Sequence, residues 1–338
     1  MTDTFSKHAR LNGVITELTK EVIVITYEDG TKEGCELGLK LGTSEGSLYR
    51  HTLITDLKVG DKVSEGMPIA WDTEWFERDR FCNGQLVVKT GRMVRAVFTE
   101  DQTVYEDSLE IYKELAEEFV TPVPVPVSFL VDIDKTIRFK KKVGDKVEFD
   151  SILCEISDAY IDSFLTEEDD VSEANKYGIK QIKTSYYGEV VGIEVVYNAN
   201  EDEMSETIKA LVNEHNKKQF RIAKLLGKGP STVRIGTGIN VKKPSIPFGS
   251  VKITFIVESL NAGAISDKYV YGNQMKGTNG HIVNKQMFTE DGRPCPLKFS
   301  FKSMFKRMVI SLRNKAAVNE WLFGVKNRFI NIYRGKTK

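Results

Sequence analysis

A chain of 338 residues and 38.2 kDa, 41% hydrophobic and 28% charged, has a globular composition and the length for one large domain or two to three small ones, which excludes a disordered polymer. No run approaches the ~20 apolar residues of a membrane helix, and the start MTDTFSKHAR lacks the apolar core of a signal peptide, so the protein is expected inside the cell and off the membrane. The net charge is zero, yet residues 201–338 hold 25 Lys/Arg against 10 Asp/Glu and residues 1–200 hold 23 against 38, an asymmetry that points to polyanion contact at one end.

In chain order, the β-branched run Val22 to Tyr27 leads into Glu28-Asp29-Gly30, a hairpin signal that returns the chain towards Cys35. Leu109, Tyr112, Ala116 and Phe119 share one face of a helix predicted over 109–119, with Asp107 or Ser108 as its cap. Thr121 to Pro126 and Lys243 to Pro247 read as breaks that bracket an internal module. Strands are predicted over 190–197 and 251–257. Between them a helix over 202–226 starts acidic, ends basic and stops at Gly227. From Lys298 to Lys338 there are 11 basic residues and one acid, Glu320, interleaved with aromatics. That mixture suits phosphate neutralisation with base contacts, and equally a basic surface docked on an acidic partner subunit.

The cysteines (Cys35, Cys82, Cys154, Cys295) and histidines (His8, His51, His215, His281) are scattered, with no C-x-x-C or H-x-x-x-H pair, and no nucleophile elbow or P-loop occurs. A zinc site, a disulfide framework, and hydrolase-triad, P-loop or metalloprotease chemistry are therefore not expected. One short repeat is present, Lys58-Val59-Gly60-Asp61-Lys62-Val63 and Lys142-Val143-Gly144-Asp145-Lys146-Val147. Gly gives the turn its permissive φ, Asp bonds back to the backbone, and Val starts a strand on either side. The turn resembles that of barrel-sandwich hybrid modules, including biotinyl and lipoyl carriers, although neither copy presents a target lysine.

Taken together, five blocks in order resemble the central and C-terminal-central part of the β subunit of multisubunit RNA polymerase. They are Asn12-Gly13-Val14-Ile15 with Ile23 to Gly30; Lys58 to Gly66; Tyr105-Glu106-Asp107-Ser108, similar to the family's N-F-E-D-[SA]-I; Ser266 to Gly277, similar without a gap to G-D-K-M-A-G-R-H-G-N-K-G; and Asp291-Gly292-Arg293-Pro294 followed by Arg307-Met308. The family's R-H-G is rearranged around Gly272-Asn273-Gln274, the G-V-P before S-R-M becomes Ser303-Met304-Phe305, and the D-F-D-G-D of the β′ subunit is absent.

The resemblance implies an α+β, predominantly β fold with a double-psi-type β-barrel core and an inserted barrel-sandwich hybrid. Its parts would be a discontinuous, hybrid-binding-like barrel from 1–119 and 250–311, a flap-like module at 120–249 and a basic tail at 312–338. It implies that Lys268 and Lys276 grip the RNA 3′-end and the incoming nucleotide, with solvated surface lysines as the plain alternative. Glu106 and Asp107 would lie near the substrate phosphates or second metal, or simply cap a helix. Arg307 would contact template or hybrid backbone. The catalytic Mg²⁺ would sit in a β′-like partner; further partners would be the remaining β-like fragments, DNA template and RNA, and a promoter-specificity factor on the 202–226 helix. The implied setting is cytoplasmic, the host cytoplasm or the virion for a split subunit of a large bacteriophage. A noncatalytic β-like protein that binds nucleic acid or another polymerase is the second expectation.

Overall fold

The computed structural model describes residues 5–44, 47–79, 85–89, 91–158, 178–229, 231–234, 246–271, 275–290, 292–307 and 310–335. Cys82, Gly272 to Gln274, Asp291 and Met308 therefore lie outside the described residues. The fold is mainly β. Residues 5–90 supply β1 (Ser6–His8), β2 (Gly13–Leu18), β3 (Val22–Tyr27), β4 (Lys32–Glu36), β5 (Gly38–Ser44), β6 (Ser47–Ile54), β7 (Lys62–Val63), β8 (Pro68–Asp72), β9 (Phe76–Arg78) and β10 (Leu86–Val88). Then come β11 (Ala96–Thr99), β12 (Ser108–Tyr112) and α1 (Lys113–Glu118). Residues 121–261 form β13 (Thr121–Asp132), β14 (Lys135–Phe139), β15 (Lys146–Val147), β16 (Ile152–Asp158), β17 (Lys180–Lys183), β18 (Gly188–Asn198), α2 (Glu206–Leu225) and β19 (Ser250–Asn261). The remainder forms β20 (Lys268–Tyr271), β21 (Met275–Val283), β22 (Met287–Phe288), β23 (Pro294–Cys295), β24 (Leu297–Ser300), α3 (Phe301–Arg307) and α4 (Ile310–Tyr333).

Two compact units result, residues 1–90 with 122–260 and residues 91–121 with 261–338. The first contains two β modules. In one, the sheets β4-β3-β2-β7 and β1-β8-β6-β5 enclose Ile15, Ile23, Ile25, Tyr27, Val63 and Ile69. In the other, β13-β19-β18-β15 and β14-β16-β17 enclose Leu153, Val190, Tyr197, Ile253 and Phe255.

The modules are built around the sequence repeat, and the likeness extends well beyond it. The Lys58 N–H donates to Asp61 Oδ2 at 2.7 Å, and the Lys142 N–H to Asp145 Oδ2 at 2.7 Å. Gly60 and Gly144 take φ of +94° and +97°, a region where glycine escapes the Cβ clash. The Gly60 and Gly144 N–H groups reach the Ile15 and Val190 carbonyls, both at 2.8 Å. Val63 pairs with Gly13 and Val147 with Gly188. Each partner strand is bulged just beyond, between Ile15 and Glu17 and between Val190 and Gly192. Gly13 and Gly188 also match, since a Cβ would meet the Thr26 carbonyl oxygen at 2.6 Å and the Glu258 carbonyl oxygen at 2.2 Å.

The helix expected over 202–226 is present as α2, preceded by a 3-10 turn over Glu201–Glu203. Ser205 caps it, accepting from the Ile208 N–H at 3.4 Å, and Gly227 follows it at φ +65°. Its Ile208, Val212 and Ala223 are buried, the first two in the second module's core. Its C-terminal half carries Arg221 to Glu21 of the first module at 3.1 Å, and Lys228 beyond it reaches Glu36 at 3.1 Å. Such exposed pairs add only ~0.2–1 kcal/mol each. The partly buried Arg50–Glu258 pair joins β6 to β19.

One expectation changes. Residues 108–112 are a strand and only 113–118 are helical, because Leu109 and Ile111 alternate inward between β21 and β24. The Thr121 to Pro126 break is the start of β13, which lies at a sheet edge, where proline's missing N–H removes no interior ladder bond. The basic C-terminal segment is helical from Ile310 to Tyr333.

Cys35 and Cys154 are buried free thiols, and burial pushes their pKa up to about 11 and about 12. The thiolate is the reactive species. Iodoacetamide at pH 8 is expected to leave both unmodified in the native protein and to label them after denaturation, as read by peptide mass spectrometry; rapid native labelling of either would contradict its burial.

Candidate functional site

The second unit rests on a five-stranded half-barrel sheet, β11-β24-β12-β21-β20, in which β12 runs parallel to β21 and antiparallel to β24. Period-two alternation divides its residues between two faces. Phe98, Leu109, Ile111, Tyr269, Leu297 and Phe299 pack into one core. Gly277 belongs to the same face, where a Cβ would stand 2.7 Å from the Phe299 ring and 2.9 Å from Leu109.

The other face is polar. Lys268 pairs with Thr278, and Val270 with Lys276, across the β20–β21 hairpin. Residues directly opposite in an antiparallel pair share a face, so Lys268 and Lys276 are diagonal neighbours on one side, with strand positions about 7–8 Å apart. Both are exposed, and among the described residues neither makes an ion pair. The intervening Val270 is 60% exposed, so the two ammonium groups flank an open surface suited to polyanion contact.

Beside this hairpin lies the segment 100–108. The Thr278 N–H donates to the Asp107 carbonyl at 2.7 Å, which sets the 105–108 turn against β21 next to the position that faces Lys268. Glu106 is exposed and sits at φ 53°, a left-handed conformation uncommon for a non-glycine residue. Asp107 Oδ1 accepts from Ser303 Oγ of α3 at 2.9 Å. The residue therefore braces the start of α3; it does not cap a helix at 109. Lys302 stands over the Tyr105 ring at 4.3 Å.

A second group on this face was not anticipated. Glu110 is 5% exposed and accepts from Lys298 Nζ at 3.0 Å and from Thr103 Oγ1 at 3.0 Å. Lys298 also reaches Asp101 at 3.4 Å. Its pKa is raised, first by the hydrogen bond to Glu110. Lys298 is far from the other three in sequence, and only the β12–β24 register, Glu110 opposite Lys298, brings it to them. The structure thus unites Lys268, Lys276, Glu106 and Asp107 in one unit around β21. Arg307 is the last residue of α3, and its side chain lies outside the described part of the molecule.

The 100–104 loop is held by ionised carboxylates. Asp101 Oδ1 accepts from Thr103 Oγ1 and the Thr103 and Val104 N–H groups, and its pKa is lowered, first by the Thr103 hydroxyl. Glu100 accepts from Ser300 Oγ and the Lys302 N–H and is lowered likewise, Ser300 first. A carboxylate whose folded pKa lies below its ordinary value stabilises the fold above that value and loses the contribution as pH falls through the folded pKa. Acidification below about pH 4 is therefore expected to erode hydrogen-exchange protection at the Thr103 and Val104 amides before that of Ile111; equal loss at all three would contradict the loop's dependence on these groups.

Among the described residues no group of three or more His, Cys, Asp or Glu is arranged to hold a metal ion. No helix among them is long and apolar enough to cross a membrane. No protein-family model matches the chain, and no curated protein matches it either.

Proposed function

We propose that the chain is a component subunit of a multisubunit DNA-dependent RNA polymerase, with Lys268 and Lys276 beside the RNA 3′-end and the incoming nucleotide. The observation that carries this reading is the exposed lysine pair on one face of the β20–β21 hairpin, with the Glu106–Asp107 turn hydrogen-bonded to the same strand. Joining a 3′-hydroxyl to an α-phosphate builds charge on phosphoryl oxygens, and preorganised cations lower that barrier without a covalent nucleophile. The two lysines hold and orient the anionic substrate. In this reading the catalytic Mg²⁺ belongs to a β′-like partner, since the sequence carries no D-F-D-G-D.

In the same reading the half-barrel sheet is half of a double-psi barrel, and the module that carries α2 is the inserted barrel-sandwich hybrid. The flap-like role falls to the module that carries α2, whose exposed Phe220 and Lys217 would meet a promoter-specificity factor. Arg307 would touch template or hybrid backbone. The setting is a cytoplasm, that of the host for a bacteriophage protein, or the virion.

The Asp107–Ser303 hydrogen bond favours a second reading, a noncatalytic β-like protein that binds nucleic acid or another polymerase, because it gives Asp107 a structural task. Purification of the native complex followed by a transcription assay separates the two. Co-purification of a D-F-D-G-D-bearing chain with RNA synthesis supports the subunit reading; a complex without such a chain supports the noncatalytic one.

A further inference from the structure

Helix α4 has two apolar sides, and only one of them is used. Asn319, Phe323 and Ile330 are half-buried, the Arg95 guanidinium lies 4.7 Å from the Phe323 ring, and Glu320 pairs with Arg293 at 3.7 Å. This side seats the helix on its own unit. At 100° per residue, Val318, Trp321, Leu322, Val325, Phe329 and Ile332 fall within an arc about 100° wide elsewhere on the helix, the width of a core-facing stripe. Yet Trp321 is 67%, Phe329 68%, Ile332 58%, Val318 53% and Leu322 46% exposed, with Val325 half-buried among them. From Val318 to Ile332 the stripe runs about 21 Å. Contiguous exposed apolar surface of this kind marks an interaction site.

The charges beside the stripe identify its occupant. Lys326 borders it on one side and Arg328 on the other, while Glu320, the helix's single acid, lies outside the stripe and is engaged by Arg293. A second copy of α4 would set these cations against their own kind. Nucleic acid would use the aromatic rings but leave Val318, Leu322, Val325 and Ile332 without apolar partners. We propose that the stripe docks an amphipathic helix of another protein, with an apolar seam bordered by carboxylates. Helices that meet along a seam select partners through the flanking charges. The proposal stands apart from the lysine-pair reading, since neither Lys268 nor Lys276 takes part.

The test uses the full chain and two synthetic helical peptides, each monomeric at the assay concentration, with the same leucine seam flanked by glutamate in one and by lysine in the other. The glutamate peptide is expected to bind at least tenfold tighter, with a blue shift of the Trp321 emission isolated by subtraction of a Trp321→Phe variant. Val325→Glu with Phe329→Glu should abolish binding while leaving the circular dichroism unchanged. Lys326→Glu with Arg328→Glu should reverse the preference, which no general stickiness would produce. Equal affinity for both peptides or binding of neither overturns the proposal. So does concentration-dependent dimerisation through the stripe. A Trp321 shift given by single-stranded DNA or anionic phosphatidylserine vesicles but not by the glutamate peptide overturns it as well.

Discussion

If the proposed subunit role holds, Lys268→Ala combined with Lys276→Ala is expected to lower the elongation rate of a polymerase reconstituted with a β′-like chain at least about 100-fold, the scale on which a single preorganised charge-stabilising donor acts. The loss should fall on kcat, since in the proposed role the charge these lysines meet grows in the transition state. Both side chains are exposed and neither makes an ion pair among the described residues, so the double variant should keep its melting temperature. Lys268→Arg and Lys276→Arg should restore only part of the rate, because the planar guanidinium keeps the charge but not the compact ammonium geometry. Elongation unchanged in the double variant would remove the active-centre reading and leave the noncatalytic one.

Gly188→Ala is expected to be the most damaging single-methyl change in the first unit. Its added carbon would stand 2.2 Å from the Glu258 carbonyl oxygen and 2.7 Å from that carbonyl's carbon, and its φ of +147° is strained for any L side chain. Overpacking against backbone and a strained dihedral together cost about 3–5 kcal/mol. For a unit of this size that lowers the melting temperature by roughly 10 °C. Two neighbouring glycines bound the result. Gly144→Ala meets nothing within 4 Å and bears only the dihedral penalty of its +97° φ, about 1–2 kcal/mol. Gly192→Ala meets the mobile end of Ile256 at 3.2 Å, with no unusual φ, and should stay within about 1 kcal/mol. Thermal melts that failed to place Gly188→Ala well below both would contradict the close approach of β18 to β19.

What the sequence disclosed follows from where each constraint resides. The Lys58 and Lys142 turns were legible because glycine's positive φ and the aspartate's bond to a backbone N–H three residues earlier are local requirements. So were the β3–β4 hairpin at Asp29-Gly30 and the stop of α2 at Gly227. The bulges at residues 16 and 191, and the need for glycine at 13 and 188, are imposed by partner strands and leave no local mark. Leu109, Tyr112, Ala116 and Phe119 satisfy a helical period, but Leu109 and Ile111 also alternate, and pairing on both sides of β12 decides for the strand. The shared face of Lys268 and Lys276 becomes readable only with the hairpin register, and Ser303 is 196 residues from Asp107. Helix α4 is not legible in the sequence because its two apolar sides blur the single stripe by which a helix is ordinarily recognised.

The matched turns and bulges also bear on how the chain is made. Strand β15 could pair with β2 through the same backbone hydrogen bonds that it forms with β18, so the modules compete for each other's edges before either is complete. Side chains discriminate on one side only. Lys146 faces Glu189 in its proper pairing and would face Val14 in the wrong one, a difference of about 0.2–1 kcal/mol, whereas Lys62 faces Val14 and has no charge to lose. Timing protects the first module instead. Its eight strands all lie within residues 6–72, so during synthesis at roughly 5–20 residues per second it can close its sheets before the ribosome delivers the rival edge at 188.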